Sequence, residues 1–260
     1  MSKTRKQTRK QFLSRLGASQ HHMRIVLSSL IIFLGLMACQ QGKKEAREPR
    51  EEVAVEVGED EWTSLTEASD WRGYNMDSLP SNWSVEDGII TCYGEAGDVG
   101  GDIISTEQYD NFELAFEWKI TEGGNSGVFY HVVEDTIYHS PYQTGPEYQV
   151  LDDEGFKEPL EDWQMAGANY AMHVANDKKV LKPAGEWNSG RIVFNRGKAE
   201  HWLNGEKIVE FDKNSEDWKA KRNSGKWNDF PDYGKTDEGY LALQDHGAGV
   251  WFRNVKVRRL

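Results

Sequence analysis

The feature that most constrains this fold is an alternation of apolar and polar residues with a period of two. It is clearest in residues 113–120, where four large apolar side chains recur at every second position: Leu114, Phe116, Trp118 and Ile120. Successive side chains of a β-strand point to opposite faces of a sheet. This segment therefore predicts a strand with one buried face and one solvated face.

Other short segments show the same pattern, and turn signals separate them. Asn204-Gly205 and Asp87-Gly88 each lie between two such segments and predict two-residue hairpins. Convincing helix is limited to one short piece at residues 215–222. Many short strands joined by tight turns predict an all-β fold, a two-sheet antiparallel sandwich. A small β-barrel is the competing architecture.

Residues 1–38 have the features of a secretory signal. A basic start precedes the apolar run Ile25–Met37, and Leu36-Met37-Ala38-Cys39 resembles a bacterial lipobox, in which the cysteine is acylated. The run is shorter than the roughly 17–25 residues of a membrane-spanning helix, which makes a transmembrane anchor the less favoured alternative. A complete signal begins at Met23, which we expect to be the true start.

The segment that follows predicts a flexible tether. Residues 39–60 are charged and nearly free of large apolar side chains, so they cannot form a core. All ten Trp residues lie after this segment, and residues 61–260 predict one folded domain. With a lipid on Cys39, we expect a membrane-anchored lipoprotein of the bacterial cell envelope, in the periplasm or at the outer-membrane surface.

Charge and cysteine content narrow the classes of partner. The chain has a net charge of −12, and residues 1–38 hold seven basic residues and no acid. Their removal leaves 24 basic against 43 acidic residues. Such a surface repels the phosphates of nucleic acids and lipid headgroups, so we expect no nucleic-acid partner. Cys92 would be the remaining thiol, which excludes an intrachain disulfide, and its strand setting favours a core role.

Polar side chains also recur on single faces of the predicted strands. Glu147 shares a face with Gln149, Gln244 shares one with His246, and Glu117 lies opposite the apolar stripe of its strand. A solvated strand face is the simpler interpretation of each. If the sheet curves, these faces form one cleft together with His201 and Arg253. Acids, amides and imidazoles suit sugar hydroxyls, which donate and accept hydrogen bonds.

His246 is the member of this set best suited to proton transfer, because the pKa of an imidazole lies close to physiological pH. A histidine that caps a neighbouring carbonyl is the structural alternative. Asn125, in the turn Gly124-Asn125-Ser126-Gly127, either holds its loop or contacts a ligand. The chain lacks a Gly-x-Ser-x-Gly elbow, a His-Glu-x-x-His pair and a P-loop, which argues against serine esterases, zincins and nucleotide enzymes.

Seven short motifs together resemble the 3-keto-disaccharide hydrolase domain family over residues 62–260. Their order and spacing, more than any one of them, carry the resemblance. The motifs are Phe112–Trp118, Gly124–Gly127, Gly145–Asp152, Lys182–Asn188, His201–Gly205, Leu243–Gly247 and Val250–Asn254.

The resemblance implies a concanavalin A-like jelly roll with a concave sugar-binding face. It also implies a hydrolase that cleaves the glycosidic bonds of 3-keto-glycosides or disaccharides, by elimination across C2 and C1 and rehydration. In this scheme His246 or Glu117 is the base, and the other of the two, or Glu147, assists the leaving group. The paired-carboxylate motif of retaining glucanases on related jelly rolls, Glu-x-Asp-x-x-Glu, is absent from the chain.

Further residues are expected to bind the sugar and the enolate oxygen. One of them, His131, stands where the family pattern has an arginine. A divalent cation could stabilise the enolate, but the sequence offers no decisive ligand set. The chemistry also requires a sugar 3-dehydrogenase to supply the ketone, and a non-catalytic carbohydrate-binding lipoprotein is the alternative function. The expected substrate-binding residues are Asn125, His131, Gln149, His201, Gln244 and Arg253.

Overall fold

The computed structural model describes residues 61–94 and 101–260. The predicted signal region, the predicted lipidation site Cys39 and the predicted tether lie outside the described residues. Within the described ranges, no helix is both long and apolar enough to span a bilayer.

Short strands account for most of the regular structure. In chain order the strands are β1 (Thr63–Ser64), β2 (Trp71–Gly73), β3 (Trp83–Glu86), β4 (Ile89–Cys92), β5 (Ile103–Tyr109), β6 (Phe112–Ile120), β7 (Asn125–Val132), β8 (Glu147–Leu151), β9 (Asn188–Asn195), β10 (Lys198–Leu203), β11 (Glu206–Asp212), β12 (Gly239–Leu243) and β13 (Val250–Arg259).

The strands form two antiparallel sheets. The larger has eight strands, in the order β11-β10-β9-β6-β13-β4-β3, with β1 paired to β13. The smaller has five, in the order β2-β5-β12-β7-β8. The all-β, jelly-roll sandwich of concanavalin A type is therefore confirmed, and the barrel alternative is wrong because the two sheets remain separate.

The predicted helix is confirmed as α1 (Glu216–Arg222), where the Ser215 hydroxyl accepts a hydrogen bond from the Trp218 amide at 3.1 Å. This N-cap satisfies one of the amides that a helix start leaves unpaired. The other helical segments are short 3-10 turns. They span Ala68–Asp70, Pro141–Gln143, Asp162–Gln164 and Gly225–Asp229.

The predicted hairpins are also confirmed, since positive φ angles occur at both central residues of each turn. Asn204 and Gly205 have φ values of 48° and 90°, which match the type I′ turn that joins twisted antiparallel strands. Cys92 lies in the core, as predicted, and burial raises the pKa of its thiol to about 12.

The core lies between the two sheets. The apolar stripe of β6 is buried there and meets alternate residues of β7 and β8, in agreement with the period of two. Glu147 and Gln149 point to the outer face of the smaller sheet for the same reason. The core residues from β7 and β8 are Val128, Tyr130, Tyr148 and Val150.

Candidate active site

A polar cavity of about 280 Å³ opens on the outer face of the smaller sheet. Its volume is close to the lower end of the roughly 300–1,000 Å³ that small-molecule sites occupy. Segments far apart in the chain meet there. The lining residues are Asp102, Asn125, Ser140, Tyr142, Glu147, Gln149, Tyr170, Lys226, Gln244, Asp245 and His246.

Glu147 is a buried acid of this cavity with a strongly raised pKa. Only 5% of the residue is exposed. Burial raises the pKa of its carboxyl to about 8; the positive charge of Lys226 opposes this rise, and the nearby Asp102 adds to it. Much of the Glu147 population therefore keeps its proton at neutral pH, which suits an acid that protonates a leaving group.

Gly127 provides the space for this carboxyl. Gly127 lies opposite Gln149 in the β7–β8 ladder, and a Cβ at position 127 would overlap the Glu147 carboxylate. The need to leave space for this carboxyl therefore explains the glycine of the Asn-Ser-Gly motif without any contact to a ligand. It lets an acidic side chain lie flat on the sheet.

Two amide oxygens in the cavity wall need a donor. The Gln149 Nε2 donates a hydrogen bond to Asn125 Oδ1 at 2.7 Å. The Oε1 atoms of Gln149 and Gln244 are buried and have no hydrogen-bond partner among the described residues. A buried acceptor left unpaired costs about 1–3 kcal/mol. Donors such as sugar hydroxyls would satisfy both oxygens.

Asp245 holds the turn that carries His246. Its carboxylate accepts hydrogen bonds from Asn82 Nδ2 at 2.7 Å and from the Gly247 amide at 2.9 Å. The Asp245 amide donates to Asp102 Oδ1 at 2.9 Å. Asp245 is thus a buried positioning residue, while His246 is exposed at the rim of the cavity.

Lys226 brings a cation to the cavity from the 3-10 turn at Gly225–Asp229. Its Nζ lies 4.7 Å from the ring centre of Tyr142, 4.5 Å from that of Tyr170 and 5.1 Å from that of Trp227. Aromatic faces attract cations at such distances. Sequence reasoning missed Lys226, Tyr142 and Tyr170, because no local pattern shows that these loops fold over the sheet.

The structure does not bring Glu117 and Arg253 to this cavity, which corrects that expectation. Arg253 Nε donates to Glu117 Oε2 at 2.7 Å, and Asn254 Nδ2 donates to Glu117 Oε1 at 3.2 Å. These residues line a separate cleft of about 960 Å³ on the outer face of the larger sheet. The physical reason is that β6 and β13 belong to that sheet, and alternation directs Glu117 away from the core.

His201 lies in the core, which corrects its expected sugar-binding position. Its Nε2 is 3.2 Å from Tyr130 Oη and its Nδ1 is 3.1 Å from the Gly167 carbonyl oxygen. Burial lowers the pKa of His201 to about 3. Trp202 is the neighbour that points outward, so the imidazole points inward.

His131 is also buried and does not line the cavity, which corrects its expected role in sugar binding. Its backbone has a φ of 54°, and its Nε2 lies 2.8 Å from the Asp110 carbonyl oxygen. Its ring packs edge-on against Phe194, with 4.3 Å between ring centres. Burial lowers the pKa of His131 to about 4.

The described residues do not provide a ligand set for the divalent cation that the sequence left open. Across residues 61–94 and 101–260, no group of three or more His, Cys, Asp or Glu side chains is arranged to hold a metal ion.

Residues 61–258 match the family of 3-keto-alpha-glucoside-1,2-lyase-like domains. The chain belongs to this family. A 3-keto-disaccharide hydrolase of Bacteroides thetaiotaomicron is 35% identical over 218 residues, which are 73% of this chain and 74% of that protein.

Two crystal structures of candidate glycosyl hydrolases from Parabacteroides distasonis are similar to this family member. The first has 45% identity and a TM-score of 0.71, and the match covers 76% of this chain and 94% of the other. The second has 27% identity and a TM-score of 0.60, with 77% and 100% covered. The chain is accordingly a glycoside hydrolase-like enzyme.

Proposed function

We propose that the protein cleaves 3-keto-glycosides by elimination across C2 and C1, followed by addition of water. The observation that carries this proposal is the buried Glu147, with its raised pKa, in one polar cavity with His246. The family description, which names a 1,2-lyase, and the relative named as a 3-keto-disaccharide hydrolase support the same chemistry.

The reaction begins at the hydrogen on C2, which the ketone at C3 acidifies. A base removes this proton, the C–H electrons form the C1=C2 double bond, and the C1–O bond to the aglycone breaks. The aglycone oxygen takes a proton from an acid. Water then adds to C1 while C2 regains a proton, so the net change is hydrolysis.

We assign the base to His246 and the acid to Glu147. His246 lies at the rim of the cavity, where its imidazole can take the C2 proton. Burial keeps a proton on Glu147, which can donate it to the departing oxygen. Glu117 cannot act as the base at this cavity, because it lies on the other sheet.

The remaining polar groups bind the ring and stabilise charge. The Lys226 ammonium is the cation of the cavity, and we assign it to the negative charge that develops on the C3 oxygen. The unpaired oxygens of Gln149 and Gln244 accept hydrogen bonds from sugar hydroxyls. Asn125 supports this arrangement through its hydrogen bond with Gln149.

The experiment is cleavage of a 3-keto-glucoside in D₂O, followed by NMR at initial rates. Elimination and rehydration place one deuterium at C2 of the released 3-keto-glucose. Direct hydrolysis would release the aglycone without deuterium at C2 and would overturn the mechanism. The exchange of the C2 hydrogen with solvent in the absence of enzyme is measured separately and subtracted. The matched glycoside without the ketone serves as the control and is expected to remain intact.

Two further proposals concern the cellular setting. The lipobox-like segment supports a lipid on Cys39 and a place in the bacterial cell envelope. The reaction needs a C3 ketone, so an oxidoreductase acting on the sugar C3 hydroxyl must supply the substrate. Mass spectrometry of the protein from the membrane fraction tests the first proposal, because it is expected to detect a lipid on Cys39. The Cys39→Ala variant is expected to leave the membrane fraction.

A further inference from the structure

A second cavity of about 310 Å³ lies beside the first on the same side of the smaller sheet. The two cavities share Asp102, and the consecutive residues His139 and Ser140 line one each. The other lining residues of the second cavity are Tyr74, Asn75, Met76, Thr136 and Tyr138.

The walls of the second cavity are mainly apolar. Tyr74 and Tyr138 belong to a small hydrophobic cluster on the outer face of the sheet, apart from the main core. Met76 lines the cavity and is 44% exposed. Two aromatic rings and a polarisable thioether form a surface on which a flat apolar group can pack.

Three of the polar groups of these walls are engaged within the protein. Tyr74 Oη donates to the Val133 carbonyl oxygen at 3.0 Å, and Tyr138 Oη donates to Asp232 Oδ2 at 2.9 Å. Asn75 Nδ2 donates to the Tyr138 carbonyl oxygen at 3.1 Å. A second sugar ring would bury hydroxyls that need partners of their own, and each unpaired hydroxyl carries a desolvation penalty.

We infer that the second cavity receives the aglycone and selects aromatic aglycones over a second sugar. This inference rests on the proposed function, which places the 3-keto ring beside Glu147 and His246. The aglycone then extends past Asp102 into the second cavity. The preferred substrates are aryl 3-keto-glucosides.

The experiment compares the full-length enzyme and its variants on two substrates with the same 3-keto-α-glucose ring. One carries phenol as its aglycone and the other carries glucose. For each protein the ratio of kcat/KM for the phenyl substrate to kcat/KM for the disaccharide is measured. Dividing the variant's ratio by that of the wild type cancels the intrinsic reactivity of the two leaving groups.

Met76→Gln replaces the exposed thioether by an amide of similar length, and Tyr138→Ala removes a ring. Each is expected to lower the ratio about tenfold, which corresponds to about 1.4 kcal/mol of selectivity. Tyr138→Phe keeps the ring and is expected to keep the ratio. Tyr93→Ala is the matched control, because Tyr93 is 52% exposed and hydrogen-bonded to Ser84 outside both cavities.

An unchanged ratio in both Met76→Gln and Tyr138→Ala would overturn the inference, as would an equal loss on both substrates. A ratio that rises would mean that the second cavity favours a sugar. The proposed function fails in a different way: the wild-type enzyme would then cleave neither substrate, or would cleave them in D₂O without placing deuterium at C2.

Discussion

The Glu147 carboxylate lies over Gly127, in the volume that any side chain at position 127 would occupy. The two residues sit on neighbouring strands, β8 and β7, and both face outward. A buried acid and a motif glycine are thus one structural unit, although 20 positions separate them in the chain.

Gly127→Ala is expected to displace this carboxyl and lower kcat/KM at least tenfold. We also expect a loss of about 1–3 kcal/mol in the free energy of unfolding, typical of an overpacked site. A double-mutant cycle with Glu147→Ala checks the cause, because removal of the carboxyl relieves the overlap. Additive stability losses in the double variant would contradict the pairing.

Glu147→Gln is expected to stabilise the fold at alkaline pH while it lowers activity. Between pH about 4.5 and 8 the folded state keeps a proton that the unfolded state has lost, so stability falls as pH rises through this window. The glutamine removes that cost, which we place at about 1 kcal/mol or more at pH 8. Thermal unfolding at pH 8 and pH 4 measures it.

The matched control for this measurement is Glu107→Gln, because Glu107 is an exposed acid on the same sheet. It is expected to change the unfolding temperature little at either pH. A Glu147→Gln protein that is less stable than the wild type at pH 8 would show that the charged carboxylate is favoured in the fold.

The acid role of Glu147 predicts the pH dependence of turnover. The donor must carry its proton, so kcat is expected to fall as pH rises through about 8. A leaving group that needs no proton, such as 4-nitrophenol, is expected to lessen both this fall and the loss caused by Glu147→Gln. Equal losses on poor and good leaving groups would point instead to Glu147 as the base.

The sandwich could be predicted from the sequence because the alternation of apolar and polar residues within each strand shows which of its faces is buried. The stripe of Leu114, Phe116 and Trp118 and the Asn204-Gly205 turn are local signals, and the structure follows both. The pairing of strands into sheets is not local. It depends on contacts between residues far apart in the chain.

This difference explains which candidate residues meet. Gln149 lies on an outward strand face of the smaller sheet, Gln244 comes directly after β12 of the same sheet, and both line one cavity with Glu147 and His246. Glu117 has the same local pattern but lies in the other sheet, which alternation alone cannot reveal. Lys226 comes from a short 3-10 turn without any periodic signal, so only its tertiary contacts identify it.

A direct comparison of His246 with Glu117 tests the assignment of the base. His246→Ala is expected to lower kcat by roughly 10²–10⁴-fold, the usual contribution of a positioned base. Glu117→Gln serves as its control and is expected to retain full activity, because Glu117 pairs with Arg253 on the opposite sheet. Exposed ion pairs of this kind contribute about 0–1 kcal/mol, so the variant should fold. Full activity in His246→Ala would exclude it as the base.

The buried histidines predict an acid-sensitive fold. His131 and His201 stay neutral in the folded state down to pH about 4 and about 3, while unfolded histidine binds its proton near pH 6.5. Below pH about 6.5 the unfolded state therefore holds more protons, and stability falls with decreasing pH by about 1.4 kcal/mol per unit for each histidine. Imidazole resonances followed by NMR measure this directly: both rings should remain neutral at pH 5. A ring that titrates near pH 6.5 in the folded protein would mean that its imidazole reaches water, and the predicted loss of stability would then shrink to the contribution of the other histidine.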